Sequence, residues 1–267
     1  MGNATTQSFK EARATLTRST VSGTLDYASA LFTVADTLGE SAQLRGVVAD
    51  PSTEPAERSA VITKIFSGHV PAAVLTFVEK IAALRWSTPD ELVSSVDTLG
   101  VLSVAKTASK NNTIEQLERE LFEIAQVFSG SRELQLTLTN PGEHREAESA
   151  LIQRLFGTQV SPEAIALTER AVAQVRGSKV SRRLDEIAAV VSGFVGRKVA
   201  QVRSATALTD QQRSALAKAL TTEAGGPVHV NVAVDPTLIG GVVVRLGDTL
   251  IDSSAKTKLE QLRQAIA

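Results

Sequence analysis

An internal repeat constrains the fold of this chain more than any other feature of its sequence. The forty residues from Leu31 to Val70 align without a gap with those from Leu121 to Val160, and eleven of the paired positions are identical. Unrelated segments of this length would share about two or three identities. Five further positions exchange one apolar residue for another. The sequence therefore predicts one structural unit that is used twice in tandem.

The repeated unit has the apolar spacing of amphipathic helices, with apolar residues at steps of three and four. One such stripe contains Leu117, Leu121, Ile124 and Phe128. Thr113 and Gln116 have the spacing of a capping box before that stripe. Pro51 and Pro141 end helical segments at matching positions, because proline cannot continue a helix. Short helices with aliphatic interiors predict a helical bundle in each copy.

The last quarter of the chain changes to the alternating pattern of strands with one buried face. Four short strands are predicted, with the sequences VAQVRSA, VHVNVAV, VVVRL and TLID. A helix capped by Thr209 with Gln212 carries Leu216 and Leu220 inward, and a final helix starts at Ser253. We therefore predict a mostly α chain with two tandem bundle copies, 1–110 and 111–198. A small α+β carboxy-terminal domain follows at 199–267.

Composition argues against several classes of protein. Basic and acidic residues nearly balance, 28 against 29, and aromatic residues make up 4% of the chain, so nucleic acid is not an expected partner. The chain has no cysteine, which excludes disulfides, thiolate zinc sites and iron–sulfur clusters. Its apolar runs are shorter than the ~20 residues of a membrane span, and its first residues lack a secretory pattern. We expect no direct membrane insertion and no cofactor.

The stretch VDPTLIGGVVVRLGDTLIDSS, Val234 to Ser254, has three possible explanations. A phosphate loop would join a strand to a helix, whereas Gly240-Gly241 leads into a strand. A hard-cation site would use the aspartates, Asp235, Asp248 and Asp252. Each of these aspartates also suits a turn or a helix start. We favour a structural role, in which glycine admits positive φ or a close backbone approach.

The same residues resemble the delta subunit of the F-type ATP synthase, whose mitochondrial counterpart is the oligomycin-sensitivity-conferring protein. The similarity lies in VNVAVDPTLIGGVVVRLGDTLIDSSAKTKLEQLRQAI and in the preceding VRSATALTDQQRSALAKAL. In the helical part, DYASALFTVAD resembles the family's opening helix, and LTNPGEHREAESALIQRLF resembles its next helices. The carboxy-terminal family motif comprises Asp235, Pro236, Gly240, Gly241, Gly247, Asp248 and Asp252.

The resemblance implies a non-catalytic peripheral-stalk (stator) subunit of a proton-translocating ATP synthase. In this family the helical bundle binds amino-terminal segments of the alpha subunits, and the carboxy-terminal domain meets the end of the b-subunit stalk. The link stops the catalytic head from turning with the rotor. The implied location is peripheral, at the cytoplasmic face of the bacterial cell membrane. The family's pairing of its first and fifth helices implies these candidate alpha-subunit docking residues: Tyr27, Ala30, Leu31, Leu75 and Val78.

The duplication leaves the position of the docking bundle open. Common family members carry one helical unit, whereas this chain carries two. The opening-helix match lies in the first copy, and the second copy adjoins the carboxy-terminal domain. Either copy, or both, could therefore take the family's bundle role.

Two other functions compete with the stator interpretation. One is a small-molecule or metal enzyme that uses the carboxy-terminal aspartates, and the other is a free-standing helical-repeat adaptor with other protein partners. The histidines His69, His144 and His229 share no motif, which disfavours catalysis. Arg182-Arg183 is interpreted as a solvated helix face, and Trp86 is expected to pack between helices.

Overall fold

The computed structural model describes residues 2–131, 133–134, 145–174, 179–196, 198–236, 238, 240–246 and 249–252. The chain divides into two compact units, Met1–Val190 and Val191–Ala267. The first unit is helical and contains the predicted segment 1–110 together with most of the predicted segment 111–198. The second unit begins eight residues before the predicted start of the carboxy-terminal domain at residue 199.

The described helices and strands confirm a mostly α chain with a small α+β carboxy-terminal part. The first unit contains α1 (Asn3–Arg18), α2 (Leu25–Glu40), α3 (Ala42–Ala49), α4 (Pro55–Phe66), α5 (Ala72–Ala83), α6 (Pro89–Lys110), α7 (Ile114–Gly130), α8 (Arg145–Phe156), α9 (Pro162–Ala173) and the start of α10 (Val180–Phe194). The second unit contains β1 (Lys198–Ser204), α11 (Asp210–Ala224), β2 (Val228–Val234), β3 (Val242–Leu246) and β4 (Thr249–Asp252).

The helices of the two repeated segments have matching bounds. α4 spans 55 to 66 and α8 spans 145 to 156, so that both ends are 90 residues apart. α5 spans 72 to 83 and α9 spans 162 to 173, with the same separation. The bounds therefore follow the sequence repeat at these two pairs of helices. The repeat counterpart of α3 lies mostly outside the described residues.

Local sequence explains where several helices begin and end. Proline occupies the first turn of α4, α6 and α9, where its missing N–H costs no intrahelical bond. The side chains of Thr24, Thr88 and Ser161 accept cap bonds at the starts of α2, α6 and α9. α3 ends at Ala49, two residues before Pro51, as predicted. Pro141 lies outside the described residues.

The predicted capping box of Thr113 and Gln116 is wrong. The Thr113 side chain makes no cap bond, and Gln116 Nε2 instead donates to Glu120 Oε1 at 2.8 Å. The cause is the short connection from α6. Thr113 N–H donates to the Ala108 carbonyl at 2.8 Å, and Asn112 has a left-handed φ of 58°. Thr113 therefore has φ −109° and ψ 13° instead of the extended backbone of a capping residue.

α6 is the helix that both repeated segments share. It contacts α1, α2 and α3 of the first segment, and α7 and α9 of the second. Between residues 95 and 105 every residue is buried except the half-buried Thr98. A helix buried on all sides has no polar face, and this stretch carries one charged residue, Asp97. The amphipathic stripes predicted on the other helices face this shared interior, including Leu117, Leu121, Ile124 and Phe128, which are at most 1% exposed.

α1 is held at both ends by polar contacts with the rest of the first segment. At its start, Glu91 accepts hydrogen bonds from the Gly2 N–H at 3.0 Å and from the Thr5 hydroxyl at 2.6 Å. At its end, Lys106 Nζ donates to the carbonyls of Leu16 at 2.9 Å and Thr17 at 2.8 Å. Lys106 thereby satisfies carbonyl groups that a helix end leaves without intrahelical partners. Burial lowers the pKa of the Lys106 ammonium group, and the neighbouring positive charge of Lys110 adds to this effect.

The second unit is a four-stranded sheet, within its described residues, with the order β2-β1-β3-β4. β1 pairs with β2 in parallel, with α11 as the crossover, and β1–β3 and β3–β4 are antiparallel. The predicted alternation in β1 is confirmed, because Ala200, Val202 and Ser204 are at most 3% exposed. The Thr209–Gln212 capping box is present at the start of α11, and Leu220 packs into the core of the sheet with Leu216 beside it.

Candidate functional site: helix faces and a buried charge cluster

The five candidate docking residues contribute to the interior of the first segment. Tyr27, Ala30, Leu31 and Val78 are at most 9% exposed, and Leu75 is half-buried. The rings of Tyr27 and Phe77 lie 6.1 Å apart at their centroids, and burial raises the pKa of the Tyr27 hydroxyl. These side chains bring α2 and α5 together. A partner on these helices would meet their exposed neighbours, and the docking role of this groove stays a prediction.

The described part of the carboxy-terminal motif forms turns and ion pairs. Asp235 Oδ2 lies 3.2 Å from Arg203 Nη1, the Asp235 N–H donates to the Ser204 carbonyl at 2.8 Å, and the Leu238 N–H donates to the Asp235 carbonyl at 3.1 Å. Gly241 has φ +80°, as the structural explanation of this glycine predicts. Asp235 and Gly241 therefore shape the connection from β2 to β3. Pro236 is exposed and Gly240 half-buried, and both lie in the same connection.

The remaining motif residues are Gly247, Asp248 and Asp252. Asp252 is the last residue of β4, where it pairs in register with Val243. Gly247 and Asp248 lie outside the described residues. No group of three or more His, Cys, Asp or Glu side chains in the described ranges has an arrangement that could hold a metal ion. His69 is exposed, while His144 and the side chain of His229 fall outside what the structure describes.

A buried charge cluster joins the two repeated segments inside the first unit. Arg170 on α9 donates from Nε to Asp97 Oδ1 at 2.5 Å and from Nη1 to Asp36 Oδ1 at 2.7 Å. The guanidinium carbon of Arg170 also lies 4.8 Å from the ring centroid of Phe32. The side chains of Arg170 and Asp97 are 5% and 3% exposed. Sequence reasoning missed this cluster because Arg170 is 73 residues from Asp97 and 134 residues from Asp36.

Arg183 completes the cluster and corrects the interpretation of Arg182-Arg183 as a solvated pair. Arg183 Nη2 lies 2.9 Å from Asp97 Oδ2, and its side chain is 27% exposed. Arg182 does face solvent, with 76% of its side chain exposed. Two adjacent positions on a helix point about 100° apart, so that one arginine can face the cluster while the other faces water. The prediction for Trp86 is confirmed, because it is 4% exposed and its Nε1–H donates to the Ile81 carbonyl at 2.9 Å.

A polar cleft of about 470 Å³ opens beside the charge cluster. It is lined by α2, α3, α6, α9 and α10, with carboxylates and guanidinium groups side by side, including Asp36, Glu40, Arg45, Asp90, Asp97 and Arg183. These opposite charges engage one another across the helices. This is a helix–helix contact in which the polar groups pair with one another. The pairing stabilises the packing of the helices that line the cleft.

The exposed face of α7 differs in part from the corresponding face of α2, where Asp36 and Thr37 are half-buried while their counterparts Gln126 and Val127 are exposed. Arg119, Glu123, Gln126 and Val127 are exposed on α7, with the half-buried Phe122 among them, and Val127 is 45% exposed. A shift of 90 residues places Phe122 on Phe32 and Gln126 on Asp36. On α2 the corresponding face lines a second cleft of about 250 Å³ against α9. The repeat in the sequence was the signal that could have found this pair of faces.

Within the described residues, no helix combines the length and the apolar character that a bilayer crossing requires.

Comparison with known proteins gives a consistent family match. A family model described as "ATP synthase delta (OSCP) subunit" matches residues 102–266. The ATP synthase subunit delta of Kineococcus radiotolerans is 35% identical over 237 residues, which cover 89% of this chain and 86% of that protein. The ATP synthase subunit delta of Nocardia farcinica is 33% identical over 239 residues, 90% of this chain and 88% of that protein.

Two aspects of these matches bear on the repeated segments. The family model starts at residue 102, inside α6, and leaves most of the first segment outside. The aligned 237 residues of a 267-residue chain necessarily include most of both segments, so that the similarity to the Kineococcus protein extends over both. A solved structure titled as a Toxoplasma gondii mitochondrial ATP synthase hexamer matches with a TM-score of 0.34 and 21% identity over 62% of this chain and 95% of the matched chain, too weak a likeness for any argument.

Proposed function

This chain belongs to the ATP synthase delta (OSCP) subunit family, and we infer that it is a peripheral-stalk subunit of an ATP synthase. This conclusion rests on the family match over residues 102–266 together with similarity to ATP synthase delta subunits over 89% and 90% of the chain. As in the family, its role is to link the catalytic head to the stalk so that the head does not rotate with the rotor. We propose that the subunit works without catalysis, peripherally at the cytoplasmic face of the membrane.

The second segment is the proposed site of alpha-subunit docking. The family match includes α7, α8, α9 and α10 and reaches the first segment only through the shared helix α6. Four of the five candidate residues of the first segment are buried in the core, and Leu75 is half-buried. The first segment is then an addition that supports the docking bundle through α6 and the charge cluster.

The outer face of α7 has the properties of a helix-docking surface. An amphipathic helix binds a groove through apolar anchors surrounded by polar residues. Val127 and the half-buried Phe122 supply apolar area, and Arg119, Glu123 and Gln126 form a charged and polar border. The proposed occupant is the amino-terminal helical segment of an alpha subunit. A link under torque needs slow release, so we expect a Kd in the nanomolar range, about −12 kcal/mol.

The second unit is the proposed contact for the end of the b-subunit stalk. The carboxy-terminal motif lies in this unit, and the resemblance to the family assigns stalk binding to it. The turn at Asp235 and the positive φ of Gly241 position the strands β2 and β3 relative to each other. The glycines and aspartates of the motif thus support the binding surface through the backbone.

The proposed docking face is tested by introducing a charge at Val127. A labelled peptide of the first 25 or so residues of the cognate alpha subunit is titrated with the full chain, and binding is followed by fluorescence anisotropy. We expect Val127→Glu to weaken binding by roughly tenfold or more, because it places a charge among apolar contacts. The matched control is Val47→Glu, since Val47 is 41% exposed in the last turn of α3 in the first segment.

Equal binding by wild type and Val127→Glu would overturn the α7 assignment, and a loss of binding in Val47→Glu would return docking to the first segment. The stator role itself is tested by capture of the tagged full chain from cells that express the complete synthase. Alpha and b subunits must then co-purify with it, and their absence would contradict the proposed function.

A further inference from the structure

One face of α2 in the first segment is partly covered by a helix of the second segment: Phe32 and Asp36 are half-buried, whereas Ser29 and Thr33 stay exposed. Ser29, Phe32, Thr33 and Asp36 on α2 line a cleft together with Ala166, Arg170 and Ala173 on α9. α9 contacts both α2 and α6. We call this partly covered surface the α2 face. Under the 90-residue repeat it corresponds to the exposed face of α7 that is proposed above to bind an alpha-subunit segment.

Arg170 closes this contact through several interactions made at once. Its guanidinium group bridges Asp97 on α6 and Asp36 on α2, at 2.5 and 2.7 Å, while it lies over the Phe32 ring. Arg183 neutralises the second oxygen of Asp97 at 2.9 Å. Because Asp97 and Arg170 are almost completely buried, removing one of them leaves an uncompensated charge inside the protein. Arg170 therefore favours one arrangement of the two segments strongly.

Gly100 makes room for the ring beneath Arg170. A Cβ atom at residue 100 would lie 2.4 Å from Phe32 Cε1, closer than any real contact. The absence of a side chain at Gly100 thus allows the Phe32 ring to lie close to the α6 backbone, where the guanidinium group of Arg170 is 4.8 Å from the ring centroid. Three helices, α2, α6 and α9, contribute to one locked contact.

The charged residues of this contact have no equivalents at the matching positions of the repeat. The two segments are therefore not interchangeable in this contact. The repeat counterpart of Asp36 is Gln126, and that of Arg170 is Lys80, which is exposed. α7 therefore lacks the acidic partner, and α5 lacks an equivalent buried arginine. The second segment can occupy the α2 face of the first segment, while the α7 face stays exposed within the described structure.

We propose that the chain's own α9, locked by Arg170, occupies the part of the α2 face around Phe32 and Asp36, so that the chain accepts one helical partner segment instead of two. This inference rests on the proposed function, since it concerns the same kind of docking surface. The first segment acts as an internal brace for the docking bundle. A delta subunit with two helical units then keeps the single docking site expected of one unit.

Binding stoichiometry tests this inference directly. The alpha-subunit peptide is titrated into the full chain by isothermal calorimetry, and one peptide per chain is expected. Two peptides per chain would overturn the inference. If the peptide does not bind at all, the proposed docking function is contradicted. The contact locked by Arg170 is then tested by the hydrogen-exchange experiment alone.

Hydrogen exchange tests the locked contact independently of any partner. Arg170→Met keeps an unbranched apolar stem but removes the charge. We expect the amides of α2 (25–40) and α9 (162–173) to exchange at least tenfold faster in this variant than in wild type. Arg182→Met is the matched control, because Arg182 is 76% exposed on the neighbouring helix α10.

A milder variant covers the case in which Arg170→Met fails to fold. Asp36→Asn removes one of the two carboxylates at a side chain that is 24% exposed, and faster exchange in the same two helices is expected. Unchanged exchange in folded Arg170→Met and Asp36→Asn would overturn the inference. Equally faster exchange in Arg182→Met would also contradict it, because the effect would then not belong to the buried cluster.

Discussion

Single residues decide the backbone geometry of the carboxy-terminal motif and the charge balance of the helical interior. Gly241 adopts φ +80°, a conformation that side chains with a Cβ rarely tolerate. Asp97 accepts hydrogen bonds from two arginines of another segment. Glycine and aspartate are both common on protein surfaces. Here Gly241 permits the positive φ of the connection between β2 and β3, and the carboxylate of Asp97 balances the positive charge of two arginines.

At Gly241 we predict that valine destabilises the second unit and weakens binding to the b-subunit stalk. A β-branched side chain at positive φ costs about 1–3 kcal/mol, and the strain acts on the connection between β2 and β3. Thermal unfolding and titration with the carboxy-terminal segment of the b subunit provide the measurements. Gly241→Asn is the control, because asparagine tolerates the left-handed region better. Normal unfolding and normal stalk affinity in Gly241→Val would refute the prediction.

α1 is held by polar contacts at both of its ends as well as by its buried face. α1 buries Thr5, Ser8, Ala12 and Leu16, a small and partly polar set. Its ends are fixed by Glu91 and Lys106 of α6, which satisfy terminal N–H and carbonyl groups. Because little apolar area supports α1, we expect these polar contacts to contribute a large share of its attachment.

The attachment of α1 is predicted to depend on acid pH. Hydrogen bonds from the Thr5 hydroxyl and then from the Gly2 N–H hold the pKa of Glu91 below its ordinary value of 4.5. A carboxylate with a lowered pKa stabilises the folded state fully above its unfolded value, and this contribution is lost as pH falls through the folded pKa. The destabilisation caused by Glu91→Gln should therefore be present at pH 7, decrease as the pH falls below about 4.5 and vanish once the pH is below the lowered folded pKa.

Trp86 supplies the measurement, since it is the single tryptophan and lies next to Ser87, whose N–H donates to Thr5 Oγ1 at 2.9 Å. Urea unfolding is followed by its fluorescence at several pH values. Thr5→Val removes the same hydrogen bond together with the one from the Ser87 N–H, so only part of its effect should be lost over the same pH range. A difference between wild type and Glu91→Gln that persists unchanged at pH 3 would contradict the prediction.

The first unit as a whole depends on one helix that serves two segments. α6 is buried from residue 95 to residue 105 apart from the half-buried Thr98, and both repeated segments pack on it. A substitution on α6 therefore affects the packing of both repeated segments. This arrangement also explains why the compact unit extends from Met1 to Val190 instead of ending with the first repeat.

Gly100→Ala is predicted to destabilise the first unit by about 1–3 kcal/mol, because the added methyl group overlaps Phe32 and forces it to move. Urea unfolding followed by Trp86 fluorescence measures the change. Gly46→Ala is the matched control, since its Cβ would meet no atom within 4 Å and alanine favours a helix more than glycine does. A Gly100→Ala variant as stable as wild type would show that α2 and α6 are not closely fitted there.

The sequence by itself determined the features that depend on neighbours along the chain. Periodic apolar residues predicted the helices, alternation predicted β1 and β2, and Thr209 with Gln212 predicted a cap that is present. These patterns are readable because a helix or strand repeats its environment every few residues. The predicted Thr113 cap is absent because the connection from α6 fixes the backbone of Thr113. The spacing of Thr113 and Gln116 in the sequence does not show this constraint.

Only the tertiary structure decided which charged and apolar faces meet. Arg170 is bound by Asp97 and Asp36, 73 and 134 residues away, and Arg183 turns toward the same carboxylate while Arg182 faces water. The candidate residues Tyr27 and Leu31 have the pattern of a helix face, but the pattern does not tell whether the face is buried within the chain or open to a partner. Burial depends on long-range packing, because free energy is gained when distant surfaces exclude water together.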